Sequence, residues 1–244
     1  GPLDYYAKEG FIFAIQDVRG RNGSEGKFVH VRAVLDEHET PKDIDESTDA
    51  YDTIDWLVKH VPENSGRVGM IGISYPGFYA ACGMIDSHPA LKCVSPQAPV
   101  SDWFIGDDFH HNGCLFLADA FGFLHMFEQK LDDPKRDTAK PFDFKTQDGY
   151  EFYLNLGPLA NADKKYFKGK VPFWSEILAH PNYDQWWRAR FDGPHLKKVH
   201  AAVMTVGGWN DGEDLYGTLK TYRETERLNP GAFNVIVMGP WSHG

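Results

Sequence analysis

Residues Arg67–Gly77, RVGMIGISYPG, decide how the rest of the chain is read. Arg67 to Ile73 read as a short apolar strand that runs into Ser74, with Gly72 before the serine and Pro76 and Gly77 after it. In an open parallel α/β sheet, ligands bind at the carboxyl ends of the strands, and a sharp strand-to-helix turn there lifts one side chain into the site. Small residues at 72 and 77 let such a turn close against neighbouring backbone, and a proline costs nothing in a first helical turn, where its missing N–H is unused. The following helix N-terminus would set free N–H groups beside the hydroxyl. The pattern departs from G-x-S-x-G, because the fifth position is Pro76 and the second glycine comes one residue later. Taken alone, a serine between glycines is equally a plain turn, so its partners must decide.

On either side the chain alternates between strand and helix patterns. Phe11–Gln16, FIFAIQ, reads as a buried strand followed by the polar, glycine-rich loop DVRGRNGSEG. From Ser47 to His60, Ala50, Ile54, Leu57 and Val58 recur at helical spacing, with acids at the start and Lys59-His60 at the end, where the helix dipole favours each. Phe78–Ile85 reads as a helix over the central strand and Leu91–Val94 as another short strand. The alternation resumes with AAVMTVGG (Ala201–Gly208) and FNVIVMG (Phe233–Gly239), separated by a helix carrying Leu215, Leu219 and Tyr222. This order predicts an α/β fold with a mostly parallel sheet covered on both faces. Between the two blocks the sequence turns aromatic, charged and proline-interrupted, which predicts an inserted helical cap. The expected organisation is residues 1–102 as the first part of the core, 103–198 as the cap and 199–244 as the second part of the core.

Composition narrows the function. A chain of 244 residues suffices for one sizeable core. Its formal charge of −10, spread along the sequence, disfavours nucleic acid or anionic membrane as partners and suits a cationic or zwitterionic small molecule. There is no apolar run of membrane-spanning length and no signal-peptide order at the N-terminus. Cys82, Cys93 and Cys114 are odd in number and contain no C-x-x-C pair, so they show neither a disulfide framework nor a zinc site.

A serine hydroxyl becomes a useful nucleophile only when a base takes its proton, and the base needs a carboxylate to hold its tautomer. The hydrolase order along the chain is Ser, then Asp or Glu, then His. Asp211 in VGGWNDGEDLYG follows one late strand and His243 in VIVMGPWSHG follows the next. Singly, Asp211 would be a helix cap and His243 a loop histidine. Three residues in the right order, each after a strand, make Ser74, Asp211 and His243 the expected catalytic triad.

The motifs QDVRGRNGSEG, GISYPG, GDD, GWNDGEDLYG and GPWSHG, in that order over nearly the whole chain, resemble the α-amino acid ester hydrolases and their relatives, the cocaine-esterase-like and X-Pro dipeptidyl peptidase-like serine hydrolases. The resemblance implies an α/β-hydrolase core with a helical cap and a C-terminal jelly roll, with Ser74 as nucleophile, His243 as general base and Asp211 as its orienting acid. It implies that the Tyr75 backbone N–H supplies half of the oxyanion hole. The family's other half is a tyrosine hydroxyl from a loop upstream of this chain; Tyr5 and Tyr6 belong to the following helix and are not assigned that role. The chain begins after the family's first strands and ends one residue past His243, without the jelly roll, so it is expected to be part of a longer polypeptide.

The resemblance also implies three carboxylates that bind a substrate's α-ammonium group, at Asp108, Glu213 and Asp214. Carboxylates held close together repel one another, and a bound ammonium relieves that repulsion. A glutaryl chain would meet like charge; at about 4 Å and an effective dielectric near 20, one such pair costs roughly 4 kcal/mol, which weighs against a glutaryl-7-aminocephalosporanic acid acylase. The plainer reading is that Glu213 and Asp214 open a helix, that Asp107-Asp108 lie in a solvated loop, or that these two join His110-His111 as metal ligands. Trp103, Phe104, Trp186 and Trp187 are expected mainly to pack the cap, and Asp17 and Arg19 to support a loop through ion pairing. The expected function is hydrolysis of α-amino acid esters or amides through an acyl-enzyme, with acyl transfer to a β-lactam amine as a variant and without metal or organic cofactor. An X-Pro dipeptidyl peptidase, a general esterase and a non-catalytic hydrolase-fold binding protein stay open. The resemblance further implies homo-oligomeric assembly and a periplasmic or secreted setting.

Overall fold

The structure, a computed structural model, describes residues 2–129 and 138–244. The chain opens with α1 (Pro2–Lys8), and after a long irregular segment forms α2 (Glu46–His60). Helix α2 starts where it does because Asp45 caps it: its carboxylate accepts from the Ser47 and Thr48 N–H groups, and the Asp45 N–H donates back to Thr48 Oγ1. This reciprocal arrangement satisfies donors that a helix start leaves orphaned. Strand β1 (Val68–Ile73) follows, then α3 (Tyr75–Gly83) and β2 (Leu91–Gln97), which runs three residues beyond the expected Val94.

The late block gives β5 (Ala202–Gly208), α8 (Leu215–Leu228) and β6 (Asn234–Gly239). The four long strands form one parallel sheet in the order β1-β2-β5-β6, with Ile73 paired to Gln97 and Gly208 to Gly239. All four therefore end at the same edge, and the loops that leave them share one space.

Helix α3 packs on β1 and β2, and α8 on β5 and β6. Side chains alternate across a strand, and the alternate set is not covered by any described element: Ile71 is 68 % exposed, and Ile73, Met204 and Val237 are exposed with it. The expected second covering layer is thus absent among the described residues. Phe11–Gln16 also differs from expectation. It is irregular and exposed, because a strand needs a neighbour for its N–H and C=O groups and no described strand pairs with it. The loop beyond it is held by the Arg19 guanidinium on the Asp49 carboxylate and by Thr53 Oγ1 donating to Gln16 Oε1 at 2.8 Å.

The middle block contains a two-strand ribbon, β3 (His110–His111) and β4 (Cys114–Leu115), and helices α4 (Leu117–Phe127), α5 (Gly149–Leu156), α6 (Pro172–Ala179) and α7 (Gln185–Arg188). Residues 130–137 of this block lie outside the described residues. The ribbon turns at Asn112-Gly113, both at positive φ, the pair that a tight hairpin favours. Phe121 is the centre of an aromatic cluster with Phe142, Phe152, Phe167 and Trp174. Trp103, Phe104 and Trp187 are buried packing residues, as expected. The three cysteines are free, and among the described residues no helix is long and apolar enough to cross a membrane.

Candidate functional site

Ser74 sits between β1 and α3 with φ 65° and ψ −129°, a conformation that a non-glycine residue adopts only under constraint. The constraint is visible. The Ser74 N–H donates to the Gln97 carbonyl at 2.9 Å and its carbonyl accepts from Phe78 N–H at 3.0 Å. A Cβ on Gly72 would lie 2.0 Å from the Pro76 carbonyl oxygen, and one on Gly77 would lie 2.6 Å from that of Gln97. Both glycines are therefore needed for the turn that lifts Ser74, and Pro76 occupies the first helical turn, as the sequence predicts.

Tyr75 opens α3, where a helix leaves its first N–H groups without acceptors. Its side chain is fully engaged elsewhere: the hydroxyl accepts from the Val31 N–H at 2.8 Å, and the ring stacks on Phe127 with centroids 5.5 Å apart. The side chain is thus committed to the core, and only the backbone N–H is left for the expected oxyanion role.

Asp211 and His243 meet because β5 and β6 are neighbours in register. The Trp209 N–H donates to the Gly239 carbonyl and the Asn210 N–H to that of Trp241, which ties one loop to the other. His243 Nδ1 lies 3.1 and 3.2 Å from the two Asp211 carboxylate oxygens. Asp211 also accepts from the Glu213 and Asp214 N–H groups at 2.8 and 2.9 Å. Burial works to raise the Asp211 pKa, but the hydrogen bonds from His243 and these two amides outweigh it and hold the carboxylate below its ordinary range. The same hydrogen bond, with the charges of Glu213, Asp211 and Asp108 behind it, raises the His243 pKa against the opposing effect of its burial.

No hydrogen bond joins Ser74 Oγ to His243 among the described residues. The segments carrying them are nevertheless adjacent, since a Cβ on Gly244 would lie 3.9 Å from Ile73 Cγ2. Catalytic hydrogen bonds are often long without substrate and tighten on binding.

The expected carboxylates do converge. Asp108 is buried and in the left-handed region at φ 45°. Burial, then the charges of Glu213 and Asp119, push its pKa up to about 7. Asp214 is fully buried, its Oδ2 3.8 Å from His243 Nδ1 and its carboxyl group paired with that of Asp108, and burial followed by the charges of Asp108 and Asp107 raises its pKa well above the carboxylate range. Glu213 is half-buried, with Oε2 3.6 Å from His243 Nε2. Asp107, by contrast, is satisfied: it accepts from the Ser101, Asp102 and Gly217 N–H groups at 3.0, 2.8 and 2.6 Å. His110 Nδ1 faces the Trp103 carbonyl oxygen at 3.2 Å, and neither it nor His111 joins the carboxylate grouping that could hold a metal.

One member was not anticipated. Asp119, in the first turn of α4, brings a carboxyl oxygen to Asp108 and Glu213, with all three oxygens within 4.8 Å of one another. Its pKa is pushed up to about 6, by burial first and then by Glu213. In sequence it is one acid at the start of a helix, where the dipole alone accounts for it. Among the described residues, no lysine or arginine forms an ion pair with any of the four carboxylates.

This crowding has a stability consequence. With its folded pKa above the ordinary value, Asp108 keeps its proton to higher pH in the native than in the unfolded state, so its contribution is present at low pH and lost as pH rises through about 7. Asp108→Asn is expected to raise unfolding stability at pH 8 by on the order of 2 kcal/mol, with the gain shrinking towards pH 5, measured by urea unfolding at both pH values.

A parallel sheet with a serine on a strained strand-to-helix turn and an Asp–His pair beyond the two later strands is the arrangement of the α/β-hydrolase fold. A family model described as X-Pro dipeptidyl-peptidase (S15 family) matches residues 2–244, and the chain belongs to that family. It is 25 % identical over 246 residues to a cocaine esterase of Rhodococcus sp. (strain MB1 Bresler), covering 98 % of this chain and 39 % of that protein. Among solved structures it is similar to an α-amino acid ester hydrolase, with a TM-score of 0.82 and 34 % identity over 99 % of this chain and 39 % of the other. An aminopeptidase from a marine sediment archaeon, Thaumarchaeota archaeon, superposes with a TM-score of 0.79 and 35 % identity over 93 % of this chain and 37 % of the other. The chain thus spans about two fifths of the length of these relatives.

Proposed function

We propose that this chain carries the nucleophile, base and orienting acid of a serine hydrolase acting on esters or amides whose acyl group bears an α-amino group. The observation that supports the substrate class is the partly buried carboxylate cluster beside His243, which no lysine or arginine among the described residues neutralises. Ser74 Oγ attacks the substrate carbonyl as His243 takes its proton, Asp211 stabilises the resulting imidazolium, and the Tyr75 N–H donates to the oxyanion. Collapse expels the alcohol or amine, to which His243 returns the proton. Water, activated by the same imidazole, then cleaves the acyl-enzyme; an amine in its place, such as a β-lactam nucleus, accepts the acyl group instead. Asp108, Glu213 and Asp214 hold the ammonium. Residues 1–102 and 199–244 would form the core of this enzyme and 103–198 its cap.

The test compares D-phenylglycine methyl ester with phenylacetic acid methyl ester, which lacks only the amino group, using the whole protein. A preference for the amino ester, lost in Asp108→Asn or Glu213→Gln, supports the reading; equal rates leave a general esterase. Family membership favours a second reading, removal of N-terminal X-Pro dipeptides, because a free amino terminus suits the cluster equally. Faster turnover of an X-Pro anilide than of the phenylglycine ester would select it.

The cluster also dictates a pH response. Protons on Asp119 and Asp108, with pKa values of about 6 and about 7, compete with the substrate's ammonium. KM for the amino ester is expected to fall as pH rises from 5 to 7.5, while KM for the phenylacetate ester stays level, as read from steady-state kinetics across that range.

A further inference from the structure

We infer that Asp119 is a specificity-determining residue of the same site, and that Asp108, Asp119 and Glu213 form a three-oxygen tripod selective for a primary ammonium over N-alkylated ones. The inference rests on the ammonium-binding reading above and adds to it a residue and a finer class of substrate.

A primary ammonium has three N–H donors in tetrahedral directions. Charge-assisted hydrogen bonds of about 2.8 Å from one nitrogen place their three acceptors about 4.6 Å apart. The carboxyl oxygens of Asp108, Asp119 and Glu213 all lie within 4.8 Å of one another, which admits that spacing. Asp108 is buried while Asp119 and Glu213 are half-buried, so the tripod is reached by solvent at two of its three members. Next to Asp108, Asp214 is fully buried with no N–H donor on either carboxyl oxygen, and its burial and the charge of Asp108 favour its protonated form, so the tripod's charge comes from the other three carboxylates. The three acceptors come from three separate parts of the chain: the loop after Gly106, the first turn of α4 and the loop after β5. An N,N-dimethyl ammonium keeps the charge but only one N–H, leaving two of the three carboxylates without a donor. A tripod therefore discriminates by donor count, which charge alone does not.

The experiment measures kcat/KM of the whole protein for phenylglycine methyl ester, its N,N-dimethyl analogue and phenylacetic acid methyl ester. Reading ratios between substrates cancels any general loss of activity. Wild type is expected to favour the primary amine over the dimethyl analogue by about tenfold or more, mainly through KM, as loss of charged hydrogen bonds implies. Asp119→Asn should reduce that ratio to about threefold or less, and Asp119→Glu, which restores a carboxylate, should recover part of it. If wild type prefers amino esters and Asp108→Asn abolishes the preference, but Asp119→Asn keeps the full primary-over-dimethyl ratio, the tripod is overturned and the ammonium site stands. If wild type shows no preference for an amino ester over phenylacetate, the ammonium site and the tripod fall together.

Discussion

Ser74→Ala is expected to lower kcat by about a million-fold, the scale on which serine hydrolases depend on their nucleophile. The loss should be chemical and not structural. The turn is fixed by Gly72, Gly77 and backbone hydrogen bonds to Gln97 and Phe78, none of which uses the hydroxyl, so the variant should unfold at a denaturant concentration close to that of wild type. Covalent labelling by a serine-directed fluorophosphonate should likewise vanish. A folded wild-type protein that takes no label would instead favour a non-catalytic binding role, and label that survives in Ser74→Ala would place the nucleophile elsewhere.

The second large effect belongs to Asp211. Asp211→Asn should cut kcat by about ten-thousand-fold, because an amide in that position donates to His243 Nδ1 and moves the ring proton to Nε2, which can then no longer accept the serine proton. The present geometry makes the dependence steep: His243 Nδ1 is committed to Asp211 at 3.1 Å, and that bond is the foremost cause of its raised pKa. Since the neutral imidazole is the working base, the wild-type rate climbs as pH passes the raised value. In the variant the residual rate should reach its plateau at lower pH. A pH profile of kcat/KM distinguishes this from simple misfolding; an acidic limb that fails to move would remove Asp211 from the role.

The turn at Ser74 and the meeting of Asp211 with His243 were readable in the sequence because their signals are local or ordered. Glycine and proline requirements of the Ser74 turn lie within six residues, and the Ser, Asp, His order needs only strand ends to be recognised. The strand assigned to Phe11–Gln16 failed for the opposite reason. Apolar content announces burial, but pairing depends on a neighbour that local sequence does not specify. The Asn112-Gly113 hairpin carried a recognisable turn signal within a block whose aromatic and proline content pointed to helices. Asp119 gave no usable signal, because a carboxylate in the first turn of α4 is ordinary on dipole grounds and its meeting with Asp108 and Glu213 exists only in three dimensions.

Anyone wishing to redesign the substrate preference of this protein faces two aspartates, one peptide bond apart, that answer to mutation in contrary ways. Asp107 has its oxygens matched to three backbone N–H groups and joins the loop at Ser101-Asp102 to the start of α8. Gly217 approaches so closely that a Cβ there would lie 2.1 Å from the Pro99 carbonyl oxygen. Changing Asp107 therefore removes a joint of the scaffold, whereas Asp108 accepts none of these backbone bonds, and under the proposed ammonium-binding role its exchange would retune what the protein accepts. A library that treats the pair as one acidic motif would discard, with the broken scaffolds, the variants worth keeping.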